Sequence, residues 1–125
     1  MGFRTHLEHR DGCAIVRAEG EWEMADAMRT LRALIDTCRR EGITRVLIDT
    51  RDVDGPVPLL DRSDVGKTMA KTVGPPIAFA VVCRSDRVTP ERFLELVANN
   101  RGGTVKVVTD PGEGFLWLQR QSCAA

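Results

Sequence analysis

The residues that could do chemistry are few and scattered. Ser63 stands in the segment Asp61-Arg62-Ser63-Asp64-Val65-Gly66, read as the start of a helix. A phosphate on a hydroxyl there is favoured by the helix dipole and opposed by the flanking aspartates. The plainer reading of Ser63 is a polar first-turn residue. Gly66-Lys67-Thr68 imitates the end of a phosphate-binding loop, but that motif needs a glycine where Asp61 stands. Asp52-Val53-Asp54-Gly55 imitates part of a calcium loop. Its first ligand would be Thr50 and its twelfth Asp61, not a bidentate glutamate, and Pro56 follows the turn glycine. Asp49 ends an apolar run, where a carboxylate can accept a phosphoryl group. No acidic pair follows the first strand to hold magnesium, so a loop hydrogen bond is the expectation. His6 and His9 are the only histidines, and on a strand they face opposite ways, which excludes one shared metal. His6 is expected to pair with Glu8. Cys13, Cys38, Cys83 and Cys123 show no C-x-x-C spacing, so they are read as reduced packing thiols rather than a zinc or redox site. No nucleophile–base cluster suggests an enzyme, and no cofactor is expected.

Composition narrows the function further. The chain has 125 residues, the size of one domain with a single core. Eighteen basic residues balance eighteen acidic ones, and a neutral chain lacks the electrostatic footprint of a nucleic-acid binder. Four Phe and two Trp, without basic residues interleaved, weaken single-strand binding as well. No apolar run is long enough to insert stably in a membrane, and Arg39-Arg40 falls short of a polybasic lipid patch. The first twelve residues lack the apolar core of an export signal, so the expected location is cytoplasmic.

The elements that must position these residues follow from periodicity. Phe3 to Arg10 alternates as a half-exposed strand, Asp11-Gly12 signals a hairpin, and Cys13 to Ala18 returns antiparallel. Met24, Met28, Leu31, Ile35 and Cys38 form a helical stripe from Glu23 to Glu41, stopped by Gly42. Arg45 to Thr50 is a strand covered on both faces, followed by a loop carrying Pro56 and Pro58. Asp61 is expected to cap a helix from Arg62 to Thr72 with the stripe Val65, Met69 and Val73. Gly74-Pro75-Pro76 breaks the chain, and Ile77 to Cys83 is the most apolar strand. Thr89-Pro90 is expected to open a helix that buries Phe93, Leu96 and Val97. Thr104 to Thr109 is the last strand, near an edge because of Lys106. Asp110-Pro111 starts a final helix with Phe115, Leu116 and Leu118 inward and Trp117 as an anchor. The order β-β-α-β-α-β-α-β-α implies an α/β (α+β mixed) fold: a five-stranded mixed sheet, first strand antiparallel, with right-handed parallel crossovers after it.

Gly20, RVLIDTRDVDGP (45–56), LDRSDVG (60–66), IAFAVV (77–82), ANNRG (98–102) and FLWL (115–118), in that order and spacing, resemble the SpoIIAA-like superfamily of STAS-like domains. The closer likeness is to small bacterial STAS-like proteins. The resemblance implies a non-enzymatic, often dimeric module concerned with regulation or with holding a small or lipid-like ligand. It also implies that Ser63 matches the serine phosphorylated in anti-sigma-factor antagonists, although Arg62 and Asp64 replace small residues there. A ligand or partner surface is expected at the carboxyl ends of the strands. Its candidates are Asp49, Asp52, Asp54, Val57, Leu59, Leu60, Asp61 and Arg84. The alternative for Val57, Leu59 and Leu60 is that they cover the core.

Overall fold

The computed structural model describes residues 2–71 and 76–121. The expected Val73, Gly74, Pro75 and Cys123 features lie outside the described residues, as does the end of the helix expected to reach Thr72. β1 (Arg4–Arg10) and β2 (Cys13–Glu21) form an antiparallel hairpin. Its two-residue turn holds Asp11 and Gly12 at positive φ, 50° and 80°, as a tight hairpin requires. α1 (Met24–Glu41), β3 (Arg45–Asp54), α2 (Leu59–Ala70), β4 (Ala78–Val82), a 3-10 turn (Ser85–Arg87), α3 (Val88–Asn100), β5 (Thr104–Val108) and α4 (Pro111–Arg120) follow. The sheet order equals the chain order, β1-β2-β3-β4-β5, and every pairing after the hairpin is parallel.

The sheet separates two apolar layers. On one face, Val16, Val46, Phe79 and Val81 meet Leu31 and Ile35 of α1, Met69 of α2 and Leu94 of α3. On the other, Ile15, Leu47, Ala80 and Val82 meet Leu118 of α4. All five residues of β4 are buried, which explains its unbroken apolar run. Burying Phe79 completely is worth about 1.5–3 kcal/mol. The α1 stripe is as expected, with Glu23 accepting from the Asp26 N–H at the start and Gly42 in the left-handed region at the end. Among the described residues, no helix is long and apolar enough to cross a membrane.

Several boundaries differ from expectation. β2 runs through Gly20 to Glu21 and β3 through Asp54, because the two strands continue pairing past Thr50. α2 begins at Leu59 behind Pro58, so Asp61 falls inside the first turn and does not cap it. Its carboxylate instead accepts a hydrogen bond from the Trp22 indole. α3 starts at Val88 directly from the 3-10 turn, so Thr89 is not a cap. Its buried face is Glu91, Leu94 and Ala98, with Leu96 56% exposed. Leu116 is likewise exposed, leaving Gly114 and Leu118 as the inward residues of α4. Leu7 is exposed on an edge strand with little cover. His6 pairs with Glu19 of β2 at 2.8 Å rather than with Glu8, which meets Arg10. That contact draws the Glu19 carboxyl below its ordinary range.

The outer edge of β5 is occupied by α3. Asn99 Oδ1 accepts from the Val105 N–H at 2.9 Å and Asn99 Nδ2 donates to its carbonyl at 3.0 Å. Glu95 Oε2 accepts from the Val107 N–H at 2.6 Å.

Candidate functional site

A cavity of about 100 Å³ lies between the helix-covered face of the sheet and α1, α2 and α3. Its walls begin with the sheet. Val16 and Ala18, two residues apart on β2, point into it, as strand alternation dictates. Thr50 and Val53 on β3 also line it, although they are three apart. The register explains this. Arg17 faces Asp49 and Glu19 faces Asp52, so β3 advances three residues while β2 advances two. One extra residue is thus accommodated in β3 as a bulge, which returns Val53 to the face that Thr50 occupies. The Thr50 hydroxyl donates to the Val82 carbonyl at 2.8 Å.

The mouth lies at the carboxyl ends of the parallel strands. Trp22 follows β2, Val57 follows β3 and Arg87 follows β4; Phe3 precedes antiparallel β1 at the same end, and all four are partly exposed. Phe3 and Trp22 meet edge to face, centroids 6.0 Å apart. Trp22 is anchored twice: its indole donates to Asp61 Oδ2 at 2.8 Å and its backbone N–H to the Asp54 carbonyl at 2.9 Å. Arg87 donates to the Gly55 carbonyl at 2.9 Å.

Between the mouth and the apolar floor sits a buried ion pair. Arg62 and Glu91 are each 8% exposed. Arg62 Nε donates to Glu91 Oε1 at 2.9 Å, and its Nη1 donates to the Val57 carbonyl at 2.6 Å. Both residues are inside because of helical spacing. Arg62, Val65, Gly66 and Met69 make one stripe of α2, and Glu91, Leu94 and Ala98 make the facing stripe of α3. The spacing was visible in the sequence, but an arginine and a glutamate on such a stripe read as surface residues until they are seen to pair.

The expected site residues divide. Val57 lines the cavity. Asp61 and Asp54 hold Trp22. Leu59 and Leu60, 55% and 79% exposed, neither cover the core nor enter the cavity; they form an apolar step on the first turn of α2. Arg84 lies on the rim, 3.9 Å from Asp54, 3.5 Å from Asp86 and 3.3 Å from the Arg51 carbonyl. Asp52 is exposed. Asp49 is buried and accepts from Arg51 Nη2 at 2.7 Å, Arg51 Nε at 3.0 Å and the Arg51 backbone N–H at 3.1 Å. Burial pushes its carboxyl up, but these bonds outweigh burial and its pKa is lowered overall. Ser63 is partly buried at the fifth residue of α2, beyond the free N–H groups of the first turn.

The imitated motifs are explained by the fold. Thr68 donates to the Asp64 carbonyl within α2, and Gly66 lies against α3. Asp52 and Asp54 belong to β3, not to a loop. Among the described residues, no group of three or more His, Cys, Asp or Glu could hold a metal. Cys38 and Cys83 are buried free thiols, and Cys13 is buried with its Sγ 3.8 Å from Gln119 Nε2. Burial pushes the Cys38 and Cys83 thiols up to about 11, so both stay protonated at neutral pH.

Solved structures share this architecture. An anti-sigma factor antagonist from Mycobacterium paratuberculosis is 21% identical, with 94% of this chain and 95% of that chain covered and a TM-score of 0.58. An uncharacterised DUF3478-family protein from Shewanella loihica, with a SpoIIAA-like fold, is 19% identical over 94% and 93%, also with a TM-score of 0.58. The chain has a SpoIIAA-like fold. Within it, the bulge in β3 and the Arg62–Glu91 pair shape the cavity at the carboxyl ends of the strands. No protein-family model matches the chain, and neither does any curated protein.

Proposed function

We propose that this SpoIIAA-like chain is a single, non-enzymatic regulatory module that works in the cytoplasm by binding a compact, partly apolar ligand. The observation that carries this reading is the cavity, apolar on its floor and open where the parallel strands end. Its described lining contains no Ser, Cys or His, which supports binding over catalysis; of its three threonines, Thr5, Thr30 and Thr50, the last donates its hydroxyl to a backbone carbonyl. The exposed step of Leu59 and Leu60, with Asp52, Asp54 and Arg84 beside the mouth, is the surface through which ligand occupancy would reach a partner protein. Native mass spectrometry of protein purified from its own cells, set against its denatured mass, tests this. Extra mass lost on denaturation supports the reading and sizes the ligand. Bare protein in both spectra counts against a resident ligand, and twice the chain mass reports a homodimer.

The structural likeness to an anti-sigma factor antagonist favours a second reading, a phosphoswitch at Ser63. At the fifth residue of α2 a phosphate would act through surface charge rather than through the helix terminus. One phosphate mass retained on denaturation, mapped to Ser63, would support it.

A further inference from the structure

We propose that the cavity selects a compact apolar monocarboxylate and that Arg62 is its anchor. The inference rests on the ligand-binding reading above and names the ligand class. Arg62 is more than nine-tenths buried and lines a cavity whose floor is aliphatic. Its Nε and Nη1 are engaged by Glu91 and Val57, while its Nη2 has no partner among the described residues. A guanidinium cannot shed its charge, and spare donors in a water-poor site favour an oxyanion. A carboxylate oxygen can accept a charge-assisted hydrogen bond from that remaining nitrogen.

Charge fixes how many negative groups are tolerated. The charged residues lining the cavity are Arg62, Arg87 and Glu91, one net positive. Asp61 stands just behind Trp22 and adds a carboxylate near the mouth. With Asp61 counted the balance is neutral, which disfavours a phosphate dianion and tolerates at most one negative charge placed at Arg62. Size fixes the body. The volume of about 100 Å³ is smaller than the roughly 150 Å³ cavity that admits benzene, so the body is a short branched chain rather than a ring. Leu31, Leu34, Met69 and Val81 would surround it. If the pair served only to join α2 to α3, the cavity would show no preference for an anion.

The test is a titration of the whole chain with isobutyrate and with isobutanol, followed by the Trp22 indole N–H in proton–nitrogen NMR spectra. Isobutyrate is expected to shift that signal saturably and to bind at least about tenfold more tightly than isobutanol, the scale of one charge-assisted hydrogen bond. Arg62→Gln, which removes the charge, should erase the preference and leave the alcohol bound. Glu91→Gln, which keeps an acceptor for Arg62 but removes the competing charge, should tighten isobutyrate and leave the alcohol unchanged; this variant decides the matter if Arg62→Gln does not fold. Equal affinities for the two probes would overturn the anchor and leave the apolar cavity standing. No Trp22 response to either probe would overturn both.

Discussion

Arg62 and Glu91 are the residues whose chemistry most depends on being together. Removing one partner strands a buried charge, which costs about 3–5 kcal/mol, whereas replacing both with apolar groups is often nearly neutral. Arg62→Met should therefore destabilise by about 3–5 kcal/mol, and adding Glu91→Leu should recover most of that loss. Chemical denaturation of the single and double variants checks it. Asp49 makes a pH-dependent contribution. Its folded pKa lies below the unfolded value, so its stabilisation is complete above the unfolded carboxylate range and is lost as pH falls through the folded value. Asp49→Asn should lower the urea midpoint at neutral pH, and the gap from the unmodified chain should close on acidification. At this scale the sequence was only half legible. It placed candidates at the carboxyl ends of the strands, and of these Val57 lines the cavity while Asp54 and Asp61 bond Trp22; Trp22, Arg62 and Glu91 were not among them. Each acts through a neighbour that lies far along the chain: Asp61 Oδ2 is 39 residues from Trp22, and Glu91 is 29 from Arg62.

Among the elements, α2 is set by its glycine. A Cβ on Gly66 would lie 2.8 Å from the Leu94 carbonyl oxygen, a backbone atom of α3 that cannot swing aside. Gly66→Ala would gain about 1 kcal/mol in helix propensity, but overpacking costs about 1–3 kcal/mol. With backbone on the other side, the clash should win, and the variant should melt lower despite its better helix former. Differential scanning calorimetry reads the sign directly. Gly66 looked like part of a phosphate-binding or phosphoswitch motif because sequence displays residue types and not the helix that presses on them. Element types and order were legible throughout, since periods of two and three-to-four residues come from local geometry. Ends were less so. Asp61 reads as a cap by type, yet Trp22 takes its carboxylate and the helix starts two residues earlier, at Leu59. The α3 stripe shifted because Glu91 can enter the core only beside Arg62.

For the whole molecule, the cavity sets stability against binding. Ala18 projects from β2 into unfilled space, and each buried methylene is worth about 0.8 kcal/mol. Ala18→Val adds two such groups and should raise stability by roughly 1.5 kcal/mol, while weakening any ligand held there. A higher melting temperature together with loss of the isobutyrate response is the expected pair of results. The layered sheet itself was legible, because alternating helices and strands leave few ways to cover both faces. The void was not, because it depends on one extra residue in β3 whose effect appears only in the pairing with β2.

The two borders of the sheet are unequal. Side chains of α3 already hold the outward N–H groups of Val105 and Val107 on β5, so that border offers a newcomer little to bond. Any joining of two molecules by sheet continuation must then run β1 to β1. Such a contact is two-fold and uses the same border on both copies, so it is complete after one union. The head-to-tail stacking that would propagate into a fibre needs both borders, and this fold supplies one.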